Sequence, residues 1–103
     1  MGAPMRIRAT ETGGVTDVKI LMKHDMESGQ RKDSAGKIIP EWHITIVTVK
    51  IKENIVLEAF FGPAVLKDPF LNFKTKSAAK GDKVVVSWVD NKGDTRTDEA
   101  VVA

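Results

Sequence analysis

The chain has 103 residues, enough for one domain spanning 1–103 and too few for two. It holds no cysteine, which excludes a disulfide scaffold, a thiol nucleophile and a thiolate metal site. Its 16 basic and 14 acidic residues are interspersed rather than blocked, a pattern unlike the basic stripe of a nucleic-acid binder, and no apolar run approaches the roughly 20 residues that span a membrane.

The chain begins Met1-Gly2-Ala3-Pro4-Met5-Arg6, without the basic-then-apolar layout of a secretory signal. Arg6 stands where a myristoylation motif wants Ser or Thr. Met5, Ile7 and Ala9 alternate with Arg6 and Arg8, which predicts a short first strand. Glu11-Thr12-Gly13-Gly14 reads as a turn. Val18, Ile20 and Met22 then point one way and Asp17, Lys19 and Lys23 the other, the period of a half-buried strand.

Residues 24–41 break this pattern. A connection of that length is functional or contains a hairpin of its own, and Ser34-Ala35-Gly36 supplies a candidate tip. The next strand is the longest. Trp42, Ile44 and Ile46 share one parity, and Val47, Val49 and Ile51 the other, so the apolar phase flips between Ile46 and Val47. A β-bulge, or a strand changing sheets, produces such a flip. Lys52-Glu53-Asn54 turns into a strand carrying Ile55, Leu57, Ala59 and Phe61, which Gly62-Pro63 ends. Ala64–Pro69 is too short for a stable helix and reads as a crossover with a single 3₁₀ turn.

Phe70–Lys76 is predicted as a strand with Leu71 and Phe73 on one face. Lys80-Gly81-Asp82 turns into Val84, Val86 and Trp88, the strongest core pattern. Asp90–Asp94 forms a hairpin loop, and Thr95–Val102 pairs back as a mostly polar last strand. Seven short strands, even turns and an interior Trp predict an all-β, immunoglobulin-like β-sandwich, with Trp88 or Trp42 filling the volume that a disulfide takes in antibody domains.

Catalytic constellations are weak. His24, Asp25 and Glu27 lie close together, but no second histidine stands at ligand spacing, so neither a metal nor another cofactor is expected. His43, opposite in parity to Trp42, is expected to be exposed. None of Ser28, Ser34, Ser77 and Ser87 sits in a nucleophile elbow, and Asp98 and Glu99 face opposite ways on their strand. No catalytic residue is assigned. Phe60 opposes Phe61, and Val85 and Val89 oppose the Val84–Val86–Trp88 face, so an apolar outer sheet face is expected, the mark of a partner interface.

At His24-Asp25-Met26-Glu27-Ser28-Gly29-Gln30-Arg31-Lys32 the sequence resembles the SoxZ family of sulfur oxidation, whose pattern there runs His-Pro-Met-Glu-Thr-Gly-x-Arg-Lys. The likeness continues through Gly36, Ile39, Pro40, Asp68-Pro69, Phe73-Lys74, Trp88, Asp90, Gly93 and Thr97. Asp25 departs from the family proline and Ser28 from the family threonine; Asp25 removes a residue that fixes φ at the start of the loop. The resemblance implies a non-catalytic subunit of a periplasmic SoxYZ sulfur-carrier heterodimer. In that complex a SoxY-like partner bears the cysteine on which sulfur intermediates ride, and cytochrome, hydrolase and dehydrogenase enzymes act on them. The absence of a visible signal then fits export with the partner. His24, Met26, Glu27 and Arg31 of the loop, with Phe60 and Val85 of the sheet, are the expected partner-contact residues. A generic immunoglobulin-like adhesion module is the alternative.

Overall fold

Apolar side chains at every second position, cut by short turns, leave a chain of this length one efficient solution, two sheets packed face to face. The computed structural model describes residues 3–62, 65 and 67–103. It contains β1 (Arg6–Thr12), β2 (Val15–Leu21), β3 (Ile44–Ile51), β4 (Asn54–Phe60), β5 (Phe70–Thr75), β6 (Lys83–Asp90) and β7 (Thr95–Val101). No helix occurs among the described residues. The expected crossover over Ala64–Pro69 includes Ala64 and Leu66, and the expected stop at Gly62-Pro63 includes Pro63; all three lie outside the described residues.

The strands form a sheet of order β1-β2-β5 and a sheet of order β4-β3-β6-β7, every pairing antiparallel. Relative to a constant-type immunoglobulin sandwich, the fourth strand has moved to the larger sheet. Between the sheets lie Val18, Ile20, Met22, Ile44, Val47, Val49, Ile51, Val84, Val86 and Trp88, all at most 1% exposed. The flank between β1 and β7 is sealed: Ala103 N donates to Ala9 O, Glu11 N to Ala103 O, and Met5 N to Asp98 Oδ2, each 2.9 Å. The Arg96 guanidinium holds the Asp98 carboxyl below its ordinary range, against the opposing effect of burial.

The phase flip in β3 is real, and its cause is a bulge. The β3–β6 register slips between Ile44 and Ile46, so Ile44 and Val47 both face the core and Ile46 faces outward. Ile46 therefore does not share a face with Ile44, and Trp42 lies outside the strand. A second irregularity in the β3–β4 register at Val49/Lys50 corrects another expectation. Ile55 is 57% exposed, while Val56 and Leu57 both pack against the core. The β3–β4 turn is strained: Lys52 and Glu53 have φ of 53° and 66°, values that cost an L-residue with a Cβ. The β1–β2 turn solves the same problem with Gly13 and Gly14, at φ 60° and 84°.

Candidate functional site

The antiparallel order brings the β2–β3 loop, the β6–β7 turn and the C-terminal end of β4 to one end of the sandwich. There a buried polar cluster ties the long loop down. Asp90 has the inward parity of Val84, Val86 and Trp88, so its carboxylate enters the interior with its side chain fully buried. Four donors make that position tenable. His24 Nε2 and Trp42 Nε1 donate to Oδ2 at 3.1 and 2.7 Å, and the amides of Lys92 and Asp94 donate to Oδ1, each at 2.9 Å. Burial pushes the Asp90 carboxyl up, but these four hydrogen bonds outweigh it and hold the group below its ordinary value.

His24 is fixed in tautomer by the same cluster. Its Nδ1 accepts the Met26 amide at 3.1 Å, so the ring proton sits on Nε2 and is directed at Asp90. The ring lies 4.8 Å from Trp42 and meets Trp88 edge-on at 5.2 Å. Lys92 Nζ lies 4.4 Å above the Trp42 ring, a cation–π contact that covers the cluster. His43, expected to be exposed, is only 6% exposed, because it precedes the regular part of β3 and the parity of the strand does not reach it. Its Nδ1 contacts Ile44 O at 3.0 Å and its Nε2 contacts Glu41 Oε1. Both imidazoles of the chain thus have both nitrogens engaged, and neither offers a free base in this arrangement. No group of three His, Asp or Glu able to hold a metal ion occurs among the described residues.

The loop itself is a small hairpin. Glu27 bridges Trp42 and Lys32 bridges Ile38, with the tip at Ser34-Ala35-Gly36. Asp33 Oδ1 accepts the amides of Ala35 and Lys37 at 2.9 and 3.0 Å, which shapes the tip. Residues 30–38 are all exposed. Glu27 and Arg31 form a forked pair, with Nε to Oε1 at 3.0 Å and Nη2 to Oε2 at 2.8 Å. The Arg31 bonds hold the Glu27 carboxyl below its ordinary range. Met26 is buried, at φ 55°, and its Sδ accepts the Ile44 amide at 3.3 Å. At Gly29, φ is 84°, and a Cβ would meet Glu41 Cβ at 3.3 Å.

Beside this loop base the larger sheet presents its outer face. Its first cross-strand row is Phe60–Ile46–Val89–Thr95, its second Glu58–Thr48–Ser87–Thr97 and its third Ile55–Lys50–Val85–Glu99. Phe60 is 71% exposed and Val89 41% exposed. The first row is thus an apolar stripe across three strands, and the second carries the hydroxyls of Thr48, Ser87 and Thr97 with Glu58 at its β4 end. Val85 is half-buried and lies two rows further, about 13 Å along the strands.

Of the residues expected at an interface, Glu27 and Arg31 reach the loop surface, and Phe60 lies on the outer sheet face at the same end of the molecule. His24 and Met26 are buried and set the loop's shape from within. Sequence reasoning missed Asp90, Trp42 and Ile46 as parts of this end. The inward parity of Asp90 on a core strand was a readable signal, since a buried carboxylate requires donors.

The family model for sulphur oxidation protein SoxZ matches residues 5–101. The search of curated proteins gives no match. The matched span takes in every strand, the anchored loop and the Asp90 cluster alike, and the chain belongs to the SoxZ family of sulphur oxidation proteins.

Proposed function

We propose that this chain is the non-catalytic half of a sulfur-carrier heterodimer, pairing with a SoxY-like subunit in the periplasm and presenting it to the oxidising enzymes. The observation that carries the reading is the apolar stripe of Phe60, Ile46 and Val89 on a solvent-facing sheet, in a chain whose family acts in sulfur oxidation. An aromatic anchor within an apolar row is what a permanent partner covers. Burying one such Phe on a partner contributes about 2–3 kcal/mol. Sulfur chemistry needs a thiolate, and the 103 residues contain no cysteine, which supports placing the sulfur-bearing thiol on the other subunit. The Glu27–Arg31 loop, rising from the same end, supplies polar recognition beside the apolar row.

The test is co-expression with a SoxY-like subunit bearing one C-terminal cysteine, only that subunit being tagged. A stable one-to-one complex that survives size-exclusion chromatography is expected. Two independently migrating monomers would contradict the reading.

A further inference from the structure

The two outer faces of the sandwich differ in charge. On the smaller sheet the cross-strand rows are Arg6–Leu21–Phe70, Arg8–Lys19–Asn72 and Thr10–Asp17–Lys74. Four cations thus face one acid. That acid is already engaged: Asp17 lies 3.9 Å from Lys19 Nζ and accepts from Asn72 Nδ2 at 2.6 Å. Arg6, Arg8 and Lys74 have no ion-pair partner among the described residues. A hollow of about 630 Å³ opens at the β1 edge of this face, lined by Arg6, Arg8, Lys19, Leu21 and Phe70 together with the core-facing Met5 and Ile7 and with Glu99 of β7. Glu99 pairs with Lys83 at 3.8 Å and not with either arginine. Phe70, 61% exposed, sits at the apolar end of this surface. On the larger sheet the outer rows carry Lys50 and Lys83 against Glu58 and Glu99, two cations against two acids, so the charges balance there.

We infer that the outer face of the β1-β2-β5 sheet is a second docking surface, which receives a carboxylate-rich patch of a partner protein. Two arginines one pleat apart present forked donors that match carboxylates, and Leu21 and Phe70 give the contact an apolar edge that only a protein surface would use. A nucleic acid would leave that apolar edge without a partner. Rim charges of this kind set association rate and selectivity more than residence time. In a carrier subunit (this step rests on the proposed function) such a face suits enzymes that must bind and leave, while the apolar face of the other sheet keeps the permanent partner.

The test uses the full chain alone, so it does not depend on the heterodimer. Binding of fluorescent poly-L-glutamate is followed by anisotropy, with a 20-nucleotide single-stranded DNA of equal charge in a parallel titration. The wild type is expected to bind polyglutamate and to weaken several-fold between 50 and 200 mM salt, as screened surface charges do. R6E/R8E should lose about tenfold or more, because like charges then face each other. K32E/K37E, the same charge change on the loop hairpin, should stay within about twofold on the same reasoning. Circular dichroism checks folding, and if R6E/R8E does not fold, R6Q/R8Q carries the test with a smaller expected loss. Equal loss in the loop variant, or none in the arginine variant, would overturn the inference. So would tighter binding of the DNA through the same arginines.

Discussion

Replacing Asp90 by Asn tests the anchoring cluster at its most sensitive point. The carboxylate accepts from His24 and Trp42 on one oxygen and from the Lys92 and Asp94 amides on the other. An asparagine has one acceptor oxygen. In either amide orientation its NH₂ is aimed at two N–H donors, so one pair loses its acceptor. If the turn amides lose it, water reaches them, since Asn91, Lys92 and Gly93 are exposed. His24, with a side chain only 2% exposed, has no such recourse. Losing a charge-assisted bond and leaving a buried donor unmade costs about 2–4 kcal/mol. In urea denaturation at pH 7 the midpoint of D90N should fall by at least about 1 M with little change in slope. The gap should close at low pH. Because the Asp90 carboxyl is held low in the fold, its contribution is complete above its unfolded value of about 3.9 and is lost as pH falls through the folded value. Wild type and D90N should therefore converge in stability below about pH 4. A D90N variant within about 0.5 kcal/mol of wild type at pH 7, or a gap that persists in full well below pH 4, would refute the assignment of Asp90 as the anchor.

Three further outcomes follow from the backbone and the loop. K52N/E53G should stabilise the chain by about 1–2 kcal/mol in thermal melts, because both residues now sit at positive φ in a two-residue hairpin turn. Gly29→Ala should destabilise more than Gly36→Ala: both have positive φ, but only at Gly29 does a Cβ meet Glu41 at 3.3 Å, and matched urea titrations would rank them. In an NMR titration the Glu27 carboxyl should protonate below the ordinary glutamate range and move back up in R31Q, because the Arg31 hydrogen bonds are the leading cause of the shift.

Much of this fold is legible in the sequence, and the failures have local causes. The strands of the smaller sheet and β6 follow strict period-two patterns with glycine turns, so Val18, Ile20, Val84, Val86 and Trp88 fall where parity puts them. The flip in β3 is visible as a change of phase, but parity does not say which residue is extra; the slip lies at Thr45, ahead of the position expected. Ile55 is misplaced for the same reason, since the irregularity beside it belongs to the pairing with β3 and not to either strand alone. The loop tip at Ser34-Ala35-Gly36 is readable from its turn residues. The His24–Asp90 contact is not, because it joins residues 66 apart that meet only once both sheets have formed. The exposed Phe60 is readable from its opposition to Phe61, but its alignment with Ile46 and Val89 needs the register.

The most direct measurement is native mass spectrometry of this chain co-expressed with a SoxY-like cysteine-bearing subunit, as wild type and as F60D/V89D. Both side chains are solvent-facing, so the variant should remain folded. A one-to-one heterodimer is predicted for the wild type and separate subunits for the variant. Separate subunits for the wild type would contradict the carrier reading, and an intact complex in the variant would contradict the placement of the partner on the apolar stripe.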